Sequence, residues 1–204
     1  MTVELIASTP DPERLIERCA RISHGSKVSD TIEETRLFIM EKLVDRHEES
    51  PLEHASATFF ISGISRVCSH QIVRHRLASY TQQSGRYTES NEWQQLTPSS
   101  IGFSPKASKA FAEAGLACHK AYLEMLRLGI PKEDARFVLP QAEATSLYMT
   151  ANFREWRHFL KLRTDRHAQC EIREVANLIL SYFRDLAPSC VYDILPVIDD
   201  ASGK

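Results

Sequence analysis

Residues 71 to 90, QIVRHRLASYTQQSGRYTES, hold the densest set of side chains that could do chemistry. Arg74, His75 and Arg76 stand in a row where a helical apolar pattern (Ile64, Val67, Cys68, Ile72) runs out into a polar stretch. The dipole at a helix C-terminus stabilises cations, so the triplet alone is also what an ordinary helix end looks like. The residues that follow favour a site. Ser79, Thr81, Gln82, Gln83, Ser84, Gly85, Arg86 and Tyr87 gather hydroxyls, amides, a glycine and a further arginine. Such groups hydrogen-bond a phosphate, a pyrimidine and a ribose without a glycine-rich loop. Gln71 and Arg74 are three apart and share a helix face, so both reach one ligand.

The charge balance points the same way. Lys and Arg total 25 against 27 Asp and Glu, but 17 of the cations are arginine. A general nucleic-acid binder is expected to be basic. An arginine-rich, near-neutral chain suits a local anion site, because the guanidinium grips phosphate or carboxylate in a bidentate fork. An RNA- or nucleotide-binding module that stacks bases on Tyr80 and Tyr87 is the competing reading, and the net charge of −2 counts against it. No metal site is expected. His47-Glu48 lacks a second histidine four residues on, and no ligand spacing selects His54, His167 and Glu171. Five scattered cysteines without C-x-x-C read as reduced thiols, and Cys68 and Cys170 sit beside apolar helical positions as structural residues. Ser84 near His75 lacks a base-orienting pair and reads as an anion-binding hydroxyl. None of the seven glycines forms G-x-G-x-x-G or a P-loop. No window nears the roughly 20 apolar residues of a membrane span, and MTVELIASTPDPERL has no signal-peptide pattern, so a cytoplasmic chain is expected.

The elements that must position these residues follow from periodicity. With 204 residues, 43% hydrophobic and 25% charged, the chain reads as one domain, 1–204. VELIAS alternates as a strand, and Asp11-Pro12 opens a helix carrying Leu15, Ile16, Cys19 and Ala20. A second helix is expected from Asp30, with Glu33 three on, to near His47. HASATFFIS reads as a strand ending at Gly63, and residues 79 to 103 as a long irregular segment. Ser104-Pro105 opens a helix with Ala107, Ala110, Phe111, Ala114, Ala117, Cys118, Ala121 and Met125 on one face, and Gly129 caps it. EATSLYMT is a strand, and Asn152 caps a helix with Phe153, Trp156 and Leu160 inward and Arg154 and His158 together on the other side. A last helix runs from Ile172 to Leu186. The fold class expected is α+β, with helices packed around a small mixed or antiparallel sheet.

Four sets of residues carry a resemblance. Arg74-His75-Arg76, seven residues, then Ser84-x-Arg86 matches the signature of the flavin-dependent thymidylate synthases. Ser50-Pro51-Leu52-Glu53-His54 resembles that family's P-[FL]-E-H element, and Ala135-Arg136-Phe137-Val138-Leu139-Pro140 its A-R-x-x-L-P element. Asn152-x-Arg154, Leu162-Arg163, His167-Ala168-Gln169 and Glu171 resemble its C-terminal element. The resemblance implies a homotetramer that methylates dUMP to dTMP, with methylenetetrahydrofolate as carbon donor, FAD as hydride carrier, NADPH as reductant, and sites shared between subunits. It implies dUMP contacts from Gln71, Arg74, Gln82, Gln83, Ser84, Gly85, Arg86, Arg136 and Arg163. It implies flavin contacts from Ser50, Glu53, Arg74, His75, Arg76, Gln82, Asn152, Arg154 and His158, and from Ser23 and Ser26. Arg163 would be catalytic, stabilising dUMP ionised at N3. No nucleic acid, membrane or metal is implied. Two positions depart from the pattern: Gln82 where the family often has Glu, and His158 where some members have Asn.

Overall fold

The computed structural model describes residues 1–86 and 93–196. Tyr87, counted among the polar side chains above, lies outside the described residues. β1 (Thr2–Ser8) keeps its alternation only partway: Val3 is buried, but a bulge between Leu5 and Ala7 leaves Ala7 exposed. α1 (Pro12–Ile22) starts at its proline and buries Ile16 and Ala20. Two carboxylates on the same helix are also buried. Glu17 accepts from Ser29 and Thr35, and Glu13 from Ser189 and Arg36.

α2 (Ile32–Phe38), continued by a π-helical turn over Ile39–Val44, begins one residue later than expected. Thr31 is its N-cap in a capping box with Glu34, while Asp30 pairs with Lys27. A 3-10 turn (Ser50–His54) leads into β2 (Ser56–Ser65). Gly63 does not end this strand. It takes φ +65° at a bulge, pairing resumes, and Ile64 is a buried strand residue rather than a helical one.

α3 (Arg66–Ile72) is capped by Ser65, whose hydroxyl accepts from the Cys68 N–H, and β3 (Ala78–Gln82) follows. β3 and the short α4 (Ser99–Gly102) correct the reading of 79–103 as irregular. Half-buried Ala78, Tyr80 and Gln82 alternate with exposed Ser79 and Thr81, a strand period with too little apolar contrast to read from composition.

α5 (Pro105–Arg127) opens at Ser104-Pro105 and is followed by Gly129 at φ +83°, as expected, but its alanine face is not its buried face. Its buried residues are Gly115 and Tyr122, and Ala110, Ala114, Ala117 and Ala121 are exposed. The helix packs on the segment before it instead of the core. The Gln95 side chain lies where a Cβ on Gly115 would be, and Trp93 stacks on His119 at 5.1 Å.

The chain continues with α6 (Lys132–Ala135), a 3-10 turn (Arg136–Val138), β4 (Ala144–Asn152), α7 (Phe153–Arg163), α8 (Cys170–Leu186) and α9 (Pro188–Val191). The sheet order is β1-β2-β4-β3, with every neighbouring pair antiparallel. This is the expected α+β class. One sheet face buries Ala57, Phe59, Ile61, Leu147 and Met149 against Phe153, Trp156 and Phe159 of α7 and Phe183 of α8. Phe59 meets Trp156 edge-on at 5.1 Å, and the indole N–H donates to the Ala57 carbonyl at 3.1 Å. α7 and the end of α3 are thereby fixed on a rigid base.

Candidate active site

α7 is amphipathic as its spacing predicts. Asn152 accepts from the Glu155 N–H as N-cap, Phe153, Trp156 and Leu160 are buried, and Arg154 and His158 are exposed. Its last residue, Arg163, is half-buried and reaches the turn that ends α3. Nε–H donates to His75 Nε2 at 3.1 Å, and Nη2 donates to the Gln71 carbonyl at 3.4 Å. The Arg74 N–H donates to the same Gln71 carbonyl, so Gln71, Arg74, His75 and Arg163 converge. Burial, and the Arg74 charge, lower the guanidinium's pKa from its usual value.

His75 is the least exposed member of the triplet at 4%, whereas Arg74 and Arg76 are exposed. Its ring packs on Phe159 at 4.9 Å and lies 5.5 Å from His158. Burial, with Arg163 and His158 nearby, depresses its pKa to about 4, so the ring is neutral near pH 7. Tyr80 also faces inward. Its hydroxyl donates to the carbonyls of Ile72 and His75, which ties β3 to the end of α3 and removes Tyr80 as a platform for stacking bases.

A second group forms around the Arg136 turn. A small cavity of about 220 Å³ is lined by Arg66, His70, Gly85, Arg136 and Glu143. Gly85 lies against the Arg136 and Arg66 side chains. Arg86 pairs with Glu133 at 2.8 Å, and Ser84 Oγ accepts from the Arg86 N–H. Gln82 is half-buried, and its amide donates to Ser69 Oγ (3.0 Å) and Thr145 Oγ1 (3.2 Å). The amide therefore clamps β3 to α3 and β4. Gln83 is exposed. Arg66 and His70 were not singled out by spacing, although a helix places them four apart on one face.

The remaining predicted residues sit along the other side of α7. Exposed Arg154 pairs with exposed Glu53 at 2.5 Å, which joins the C-terminal element to the 3-10 turn holding Ser50. Ser50 also borders a cleft of about 620 Å³, together with Ser23, Ser26, Arg21 and Arg46. Arg21 lies over the Phe38 ring at 4.0 Å there. Glu171 of the C-terminal element caps α3, accepting from the Ser65 N–H and hydroxyl at 2.6 Å each. Cys68 and Cys190 are buried; burial pushes the Cys68 thiol well above its usual range and the Cys190 thiol up to about 12, so neither is a nucleophile.

A family model described as thymidylate synthase complementing protein matches residues 4–189. A flavin-dependent thymidylate synthase of Geobacter sulfurreducens is 40% identical, over 100% of this chain and 94% of the relative. One of Thermococcus onnurineus is 42% identical over 85% and 75% of the two chains. Among solved structures, that of the UMP/dUMP methylase PolB of Streptomyces cacaoi bound with 5-Br dUMP superposes with a TM-score of 0.80 at 29% identity, covering 93% of this chain and 92% of that one. The chain belongs to the flavin-dependent thymidylate synthase family and is an enzyme.

Proposed function

We propose that this enzyme converts dUMP to dTMP by reductive methylation, taking the carbon from methylenetetrahydrofolate and reducing equivalents from NADPH through FAD. The observation that carries this reading is Arg163. It stands beside Gln71 and Arg74, is held by the neutral His75 ring and a backbone carbonyl, and has no carboxylate within ion-pair distance among the described residues. A fixed cation without a counter-charge suits an anionic pyrimidine. In the proposed mechanism Gln71 and Arg74 contact dUMP, and Arg163 stabilises the ring ionised at N3. Arginine stays protonated, so its part is electrostatic, not that of a base. Gln82, Gln83, Ser84, Gly85 and Arg86, with Arg136, hold the phosphate and sugar.

The donor set fits a flavin dinucleotide. Arg74, Arg76 and Arg154 are exposed cations for a pyrophosphate, and Ser50, Glu53, Asn152, Gln82 and His158 add polar groups. Ser23 and Ser26 share the Ser50 cleft. His75, which the resemblance also assigns to the flavin, is buried here and bonded to Arg163. When bound and reduced, FAD supplies the hydride that completes the methyl group. The Arg163 group and the Arg136 group share the end of α3, through Gln71 and His70, but draw their other members from different elements. This supports a homotetramer in which subunits complete one another's sites. No helix among the described residues is long and apolar enough to cross a membrane, and we place the enzyme in the cytoplasm.

The test is the visible spectrum of the purified protein, then turnover. A flavin band bleached by NADPH, and dTMP formed from dUMP and methylenetetrahydrofolate, are expected. Colourless protein that takes up no FAD, or flavin-loaded protein that forms no dTMP, overturns the reading.

A further inference from the structure

We propose that Glu155 and His75 form a buried positioning pair that fixes the plane of the Arg163 guanidinium, an inference that rests on the assignment of Arg163 to the pyrimidine. Arg163 is always a donor, so the His75 Nε2 that faces its Nε at 3.1 Å must be an unprotonated acceptor. A neutral imidazole then carries its proton on Nδ1. That nitrogen is buried and has no aligned hydrogen bond among the described residues, and Glu155 Oε1 lies 3.4 Å from it. The contact is too poorly aligned to count as a hydrogen bond, yet a carboxylate there favours the Nδ1–H tautomer over its alternative.

Burial supports the assignment. Glu155 is 6% exposed and its carboxyl pKa is raised by that burial. His75 is its one ion-pair partner among the described residues. Among the described residues the groups that face the imidazole come from α7: Arg163, His158, Glu155 and the Phe159 ring. From β3, Tyr80 fixes the His75 carbonyl. A carboxylate bonded directly to Arg163 would orient the guanidinium and also neutralise it. A neutral ring between them passes on orientation while the cation keeps its charge for the ligand. Nε–H and one Nη2–H are engaged, and among the described residues the other three N–H groups of Arg163 have no protein acceptor. His75 and Glu155 are positioning residues that act through Arg163.

Two measurements test this on the whole protein. The first is the ¹⁵N signature of the His75 ring in the wild type at pH 7, which needs no variant and no substrate. The Nδ1–H tautomer with bare Nε2 is expected, and an Nε2–H tautomer or an imidazolium overturns the proposal. The second is Glu155→Gln in wild-type and Arg163→Lys backgrounds. In the wild-type background kcat for dTMP formation is expected to fall roughly 10- to 100-fold, with flavin content and the KM for dUMP unchanged within about twofold. In the Arg163→Lys background the same substitution is expected to cost less than about twofold, because the group it positions is gone. An unchanged kcat, or an equal loss in both backgrounds, overturns the pair. Failure of the wild type to form dTMP overturns the proposed function instead, and the ring signature still reads the pair.

Discussion

Arg157 and Arg163 stand on one helix, less than two turns apart, and have opposite surroundings. Arg157 is 1% exposed at the side chain and bonds to Glu49 at 3.0 Å, to Asp193 at 2.8 Å and to the Cys190 carbonyl. Burial opposes its charge, yet Asp193 and Glu49 outweigh burial and raise its pKa. Arg163 has neutral acceptors, and its pKa is lowered. The first arginine joins α7 to α9 and the turn after α2, and its charge is cancelled within the fold. The second is oriented but not cancelled. An identical side chain on one helix is thus neutralised or left charged according to whether a carboxylate meets it.

The largest effect is expected at Arg157. Arg157→Ala leaves Glu49 and Asp193 with only the exposed Lys161 ammonium as counter-charge and should destabilise by about 3–5 kcal/mol, lowering Tm by roughly 10 °C or more. A Tm within about 2 °C of wild type would show that the cluster holds nothing together. Next is Arg163→Lys, which should fold and keep flavin but lose on the order of 10²–10³ in turnover, because an ammonium cannot reproduce the planar fork. Its counterpart is Arg154→Ala. That pair is exposed, so Tm should move by about 2 °C or less while flavin is lost on dialysis. Normal turnover in Arg163→Lys, or flavin loss there but not in Arg154→Ala, would reverse the two roles.

Acid should separate the two arginine regions. His75 has its folded pKa at about 4, below the 6.5 of the free side chain, so its neutral form contributes stability above pH 6.5. That contribution falls as the pH drops through about 4. Asp193 is held near 2 by Arg157 and Lys161 against burial, below its usual 3.8, so the Arg157 region holds to lower pH. The Arg163 end should loosen first, and His75→Gln should remove the loss between pH 6.5 and 4 in acid titrations followed by circular dichroism. Coincident loss of both regions would contradict the separation. The smallest effect is expected from Cys68→Ala: a modest fall in Tm through lost packing and detectable dTMP formation. Loss of turnover with flavin and dUMP still bound would give the thiol a chemical role.

Much of this was legible where one residue type repeats with a period. The α7 stripe, its Asn152 cap and the exposed Arg154–His158 pair follow from spacing alone. β3 was hidden because its two faces differ little in polarity; the limits of α5 were legible, but not that Gln95 and Trp93 pack on Gly115 and His119 while Ala110, Ala114, Ala117 and Ala121 stay exposed. Arg157 could not be read as structural. Its carboxylate partners lie 108 and 36 positions away, and local sequence carries no sign of them. The resemblance points to His75 as a flavin contact, but its burial and its bond from Arg163 were not legible, because they depend on how α3 meets α7.

The strand order has a consequence for how the chain is made. β2 lies between β1 and β4, and its Ser56 pairs with Asn152, 96 positions later. During synthesis β2 pairs first with β1, but the backbone groups on its other edge stay unpaired until β4 leaves the ribosome, and the face carrying Phe59 and Ile61 stays uncovered. α7 and α8, which cover the same face, emerge later still. While residues 66–152 are being made the chain therefore presents an open strand edge, the kind of surface that pairs with other nascent chains and that chaperones bind. Closure of such a distant pair is also slow compared with helix formation, so the assembly of β2 with β4 sets the pace of folding for the elements that carry Arg163.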